Sequence, residues 1–194
     1  MPTYLESSSD IDWHSRSILH KAKQLSRDSD NEEDIVRACF EFVRDHIKHS
    51  LDHQLNPITC KASDVLHYGT GYCYAKSHLL AALLRANNIP TALCYQRLTI
   101  TGTLPPFCLH GLNAVYLQQH GWYRLDARGN KPSVQADFCP PHERLAYPII
   151  NDGEVDLAGR YAEPLPQVIE LLNTYTNYQQ VADNLPDIAS LSRQ

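Results

Sequence analysis

An α+β fold is predicted, and three observations predict it. The first part of the chain carries apolar residues at three- and four-residue spacing, the pattern of amphipathic helices. A segment ending at Ala86 is rich in Ala and Leu over more than one stripe, as expected of a helix buried all round. After Pro90 the signals turn to β-branched and aromatic runs joined by a tight turn, the mark of an antiparallel hairpin. Helices first, then one buried helix, then a sheet, is the α+β order.

Taken in order, Trp13 to Leu25 places Ile18, Leu19, Ala22 and Leu25 on one face of a first helix. Asp30 is the expected N-cap of a second helix, with Glu33 as its capping-box partner. Ile35, Cys39, Phe42, Val43, His46 and Ile47 trace its apolar face. Ser63 is the expected cap of a short helix over 64–68 that Gly69 stops. A glycine loop, Gly69-Thr70-Gly71, then runs into the buried helix, which Asn87-Asn88 ends before Ile89-Pro90. Thr91 to Ile100 and Leu112 to Leu117 read as strands, and Gln119-His120-Gly121 as the turn into Trp122 to Leu125. Beyond Gly129 the chain is rich in proline and is expected to drape over the surface as a loop. Pro164 and Pro166 open a late helix at Val168 to Leu172, and the polar residues after Asn177 are expected to fray.

The 194 residues are 43% hydrophobic with a net charge of -5, a composition that fits one domain with its own core. No stretch reaches the roughly 20 apolar residues of a membrane span, and the start shows no readable secretory signal. A mildly acidic chain without a basic stripe gives no footprint for nucleic acid. No nucleic-acid or membrane partner is expected, and the compartment expected is the cytoplasm.

Six cysteines (Cys39, Cys60, Cys73, Cys94, Cys108 and Cys139) stand at wide, irregular spacings without C-x-x-C, so packed or singly reactive thiols are expected rather than bridges. His46, His49 and His53 form a loose group that reads as histidines at a helix C-terminus rather than as metal ligands. No metal and no cofactor is expected.

Cys73 is the residue to weigh. It stands where a glycine loop meets a strong helix, so unpaired N–H groups and the positive end of the helix dipole favour its thiolate. The same amides can receive an oxyanion when sulfur attacks a carbonyl, and the glycines would let a substrate backbone approach. A cysteine nucleophile needs a base, and the base an orienting group. His110 and Asp126 fall at the same end of an antiparallel hairpin whose turn is near His120. Singly, Cys73 could be an inert packed thiol, His110 a hydrogen-bonded strand residue and Asp126 a turn cap. Their joint placement favours a Cys–His–Asp site.

Gly71-Tyr72-Cys73, followed by Leu79 to Ala86 and then Ile89-Pro90, resembles the transglutaminase-like superfamily, with its G-x-C, buried helix and G-I-P. His110 to Tyr116 and Gly121-Trp122-Tyr123-Arg124-Leu125-Asp126 are similar to that family's histidine strand and G-W…D strand, and Val43-Arg44-Asp45-His46-Ile47 to the helix preceding the core. The resemblance spans about residues 30 to 130, with an N-terminal helix and a loop-rich C-terminal extension packed on that core as one domain. It implies a papain-like fold, with Cys73 as nucleophile, His110 as general acid/base and Asp126 as its orienter. The implied reaction is acyl transfer from an amide or peptide through a thioester, with hydrolysis the expected outcome and no calcium requirement. Tyr72 replaces an acidic residue common in the family, Gly111-Leu112 an Ala-Trp, and Ala127-Arg128 a Pro-Thr. These changes alter the cleft walls and leave the acyl acceptor open. Gln96 and Tyr72 are the candidate side-chain oxyanion donors. Two rival readings are a non-catalytic peptide-binding module and an acetyl-group transferase, the latter disfavoured because no basic phosphate-cradling cluster is legible.

Overall fold

The computed structural model describes residues 1–191. After a short 3₁₀ turn at Pro2–Leu5, α1 (Arg16–Ser26) starts behind Ser15, whose side chain accepts from the Ile18 N–H. That cap sets the start later than the apolar spacing suggests. Trp13 is spent instead on a bond from its indole nitrogen to the Leu5 carbonyl (3.0 Å), and Leu19 is exposed. The second helix, α2 (Glu32–His46), is capped by Asn31 rather than Asp30, with the Asp34 N–H donating to its side chain at 3.0 Å. Its buried face is Val36, Cys39, Phe40 and Val43, so Ile35 and Phe42 fall on the margin.

Next come β1 (Lys48–His49), α3 (Ser50–His53), α4 (Ala62–Tyr68) and β2 (Thr70–Gly71). Ser63 does not cap α4. Asp12, from the segment before α1, accepts from the Ser63 N–H instead (3.0 Å), a long-range cap that local sequence cannot reveal. Gly69 ends α4 at φ +67°, a left-handed position that suits glycine.

The central helix, α5 (Cys73–Ala86), is buried at every residue except the last. One side packs on α1, α2 and α4 and the other on the sheet of β3 (Thr91–Thr99), β4 (Phe107–Leu117) and β5 (Gly121–Leu125). The strands run antiparallel in the spatial order β5-β4-β3-β8, the edge strand β8 being Val155–Asp156. This is the α+β, papain-like arrangement in which the helix carrying the cysteine lies across an antiparallel sheet. Leu83, fully buried on α5, faces that core. Leu83→Ala is therefore expected to lower stability by about 2–5 kcal/mol in denaturant unfolding.

The proline-rich stretch is more ordered than a draped loop. Asp137–Cys139 (β6) and His142–Arg144 (β7) form a hairpin turned by Pro140-Pro141, and Val134, Ala136, Phe138 and Ala146 are buried. Strands of three residues are too short to register as alternation. The late helix is present as α6 (Pro166–Thr174), with Val168, Leu171 and Leu172 buried. The polar residues after Asn177 do not fray at once. Asn177 caps α7 (Tyr178–Asp183), Val181 is buried, and the Leu109 N–H donates to Pro186 O at 2.7 Å.

Candidate active site

Cys73 is the first residue of α5, with Tyr72 in extended conformation as N-cap. The Lys76 N–H donates to Tyr72 O at 2.9 Å and closes the first turn. The amides at the start of a helix have no intrahelical partner, so they point outward from the turn that bears the sulfur. Cys73 is 8% exposed and lines a cleft of about 590 Å³.

The hairpin brings His110 and Asp126 to this place. The β4–β5 register pairs Asn113 with Leu125, so Asp126 follows the end of β5 alongside the part of β4 that carries His110. His110 Nε2 lies 2.7 Å from Asp126 Oδ2, and both side chains are buried. With Nε2 engaged, Nδ1 is the ring nitrogen left for the sulfur. Burial alone would push the imidazole down. The Asp126 carboxylate, and behind it the charge and hydrogen bonding of Cys73, outweigh burial and push His110 up to about 10. Burial likewise works against the Asp126 charge. The His110 ring and the N–H groups of Arg128 (3.1 Å) and Ala146 (3.3 Å) nevertheless hold its carboxyl below the usual range. The Tyr147 ring meets His110 edge to face, with centroids 5.1 Å apart, and closes the other side of the imidazole.

A close contact joins the start of α5 to the strand that carries His110. Gly111, next to His110, leaves no room for a side chain: an added Cβ would stand 3.0 Å from Tyr74 Cδ1 and 3.2 Å from Tyr74 Cα. The residues following Cys73 and His110 thus press directly on each other. Gly71 plays a different part from the one expected of it. Its missing Cβ makes room for Ala75 and Thr59, the protein's own packing, rather than for a substrate.

The structure brings Cys73, His110 and Asp126 together but removes both expected side-chain oxyanion donors. The Gln96 amide nitrogen is spent on Asp156 Oδ1 (2.9 Å) and Tyr147 O (3.3 Å), and the Tyr72 hydroxyl on Tyr178 O (2.5 Å). Donors at this position are left to the α5 backbone.

Two residues of the cleft were not legible. His49, expected at a solvated helix end, is buried, because β1 pairs in parallel with β2 and sets it opposite Gly71. Its ring stands 5.4 Å from that of Tyr72, and its Nδ1 has no hydrogen-bond partner. Burial first, then the charge of Arg128, holds this imidazole well below the usual range. The other is Arg128, 7% exposed, whose guanidinium bonds Asp52 and lies over the Tyr147 ring at 5.7 Å. Burial opposes its charge, but the bond to Asp52 and the charges of Tyr147, Asp52 and Cys73 favour it. The only sequence signal was its place two residues beyond Asp126.

The family model described as the transglutaminase-like superfamily matches residues 20–127. Among solved structures, the chain is similar to a proposed cysteine protease from Cytophaga hutchinsonii, with TM-score 0.52 and 20% identity over 64% of this chain and 40% of that one. The periplasmic domain of TgpA from Pseudomonas aeruginosa gives a TM-score of 0.48 and 18% identity, over 64% of this chain and 45% of that one. The chain thus spans less than half the length of either protein. No curated protein matches it.

Proposed function

The chain belongs to the transglutaminase-like superfamily, and from that premise we propose that it cleaves an amide or peptide bond with Cys73 as nucleophile. The observation that supports this reading is the buried His110–Asp126 pair, 2.7 Å apart, beside a thiol at the N-terminus of α5. The Cys73 thiolate adds to the amide carbonyl carbon, and the oxyanion so formed takes hydrogen bonds from the first-turn amides. The C–N bond breaks as His110 Nδ1–H gives its proton to the leaving nitrogen, leaving a thioester on Cys73. His110, now neutral, takes a proton from water as the water attacks the thioester. The C–S bond breaks, and the carboxylic acid leaves with thiolate and imidazolium restored. Asp126 stays ionised throughout and holds the ring so that Nδ1 faces the sulfur.

Selective alkylation tests the proposal. Burial, the leading cause in each case, pushes Cys39, Cys94 and Cys108 up to about 12 and Cys60 higher still. In the native protein these four react slowly with iodoacetamide. Cys73 is expected to be carbamidomethylated first below pH 7, as read by peptide mass spectrometry over time. If it labels no faster than a thiol in the denatured chain, the cleft binds without catalysing.

A further inference from the structure

The cleft does not end at the sulfur. His49, Asp52, Arg128 and Lys131 line it on one side and also line a second cavity of about 580 Å³. In a chain of net charge -5, the wall of this second cavity carries five cationic side chains, Arg44, Lys48, Lys76, Arg128 and Lys131. Two carboxylates oppose them, Asp45 and Asp52. The sequence shows no such cluster, because its members come from α2, β1, α5 and the loop after β5.

The ion pairs leave positive charge over. Asp45 is held by Arg44 through two contacts of 2.7 and 2.8 Å. Asp52 is shared between Arg128 and Lys131, the latter at 2.9 Å, so one carboxylate serves two cations. Lys48 is exposed, and Lys76 spends its ammonium on the backbone carbonyls of Ile47 and Arg44. Burial first, and next the charge of Arg128, pushes Lys76 down to about 7 against the pull of Asp126, Asp45 and Asp52, so the charge facing the cavity rests mainly on Lys48, Arg128 and Lys131. At the junction of the two cavities stands His49 Nδ1, buried and unpartnered, 3.8 Å from Asp52 and so beyond hydrogen-bond reach. Arg128 is anchored beside the catalytic pair by its own N–H on Asp126, and of its five side-chain donors Asp52 takes one.

We infer that this cavity is a subsite for a carboxylate of the substrate, with Arg128 and Lys131 as its recognition groups, so that the cleft selects amides or peptides bearing an acidic group near the bond to be cleaved. The inference rests on the reading of Cys73 as nucleophile only for the word cleaved; the anion site stands on its own geometry. Two carboxylates already in the wall favour a monoanion over a phosphate dianion, since each added charge meets both of them. Arg128 and Lys131 already hold one carboxylate, Asp52, between them, and the planar guanidinium fork suits another.

The test is binding by the Cys73→Ala protein, which cannot turn over its ligand. Three rhodamine-labelled peptide pools of one design are compared by fluorescence polarisation, with Asp/Glu, with Asn/Gln or with phosphoserine at the varied positions. The acidic pool is expected to bind about tenfold or more tighter than its amide twin at low ionic strength. The advantage should shrink as salt is raised and be lost with Lys131→Gln, a half-buried side chain outside the core whose ion pair is with Asp52, as with Arg128→Gln. Equal binding of the acidic and amide pools overturns the inference, as does an advantage untouched by both substitutions. Tighter binding of the phosphoserine pool overturns the carboxylate assignment. Rapid alkylation of Cys73 together with indifference to peptide charge sinks this inference and leaves the proposed chemistry standing. Slow alkylation together with charge-selective binding does the reverse.

Discussion

Cys73→Ala is expected to abolish turnover, a loss on the order of 10⁶ in rate for removal of a nucleophile, while leaving the fold intact. The side chain loses one atom at a cleft wall, so thermal unfolding near neutral pH should shift little beyond the loss of the sulfur's hydrogen bond to His110. The substitution also has a readout that activity does not provide. The imidazole of His110, at about 10, is raised by Asp126 first and by Cys73 second, and without the sulfur it should titrate lower in an NMR titration. The sign for stability follows. A histidine whose folded pKa lies above its unfolded value of about 6.5 stabilises the fold below that pH, and the contribution is lost as pH rises through the folded pKa. The window near pH 6.5 to 10 should therefore narrow from its alkaline side in Cys73→Ala.

The second large effect is that of Asp126→Asn, expected to cut kcat by about 10²–10⁴. Asparagine keeps the size of the residue but removes the charge that outweighs burial at His110. It also asks one amide oxygen to replace a carboxylate accepting from His110, Arg128 and Ala146. Because that network holds structure as well as charge, lost rate alone does not distinguish the two. The pH profile does: the wild-type rate should fall only as pH rises toward about 10, where the imidazolium needed to protonate the leaving group is lost. In Asp126→Asn that alkaline limb should move down toward the ordinary histidine range. A profile unchanged in shape and merely reduced in height would remove Asp126 from the proposed role.

What sequence made legible here is what local pattern can carry. Cys73, His110 and Asp126 sit on elements with strong signals: a glycine loop feeding an all-buried helix, and a hairpin with a tight turn. The same logic failed where the deciding contact is long-range. Asp12 caps α4 from 51 positions away, and His49 owes its burial to a parallel pair two residues long. Arg128 and Lys131 stand as ordinary surface cations in the sequence, and only the approach of α3 with Asp52 turns them into a cluster. Gln96 and Tyr72 were sound candidates by residue type, but their donors were already taken by neighbours no periodicity reveals.

The contact at Gly111 has a consequence for how such a site can vary. Because the strand bearing the ring and the helix bearing the thiol abut through a hydrogen in place of a methyl, the seat between these two elements works like a spring clip closed to its stop. A methyl inserted there would act as a shim, opening the clip by a few tenths of an ångström before it troubled the rest of the molecule. Reactivity would then be tuned from a position that touches neither proton nor substrate.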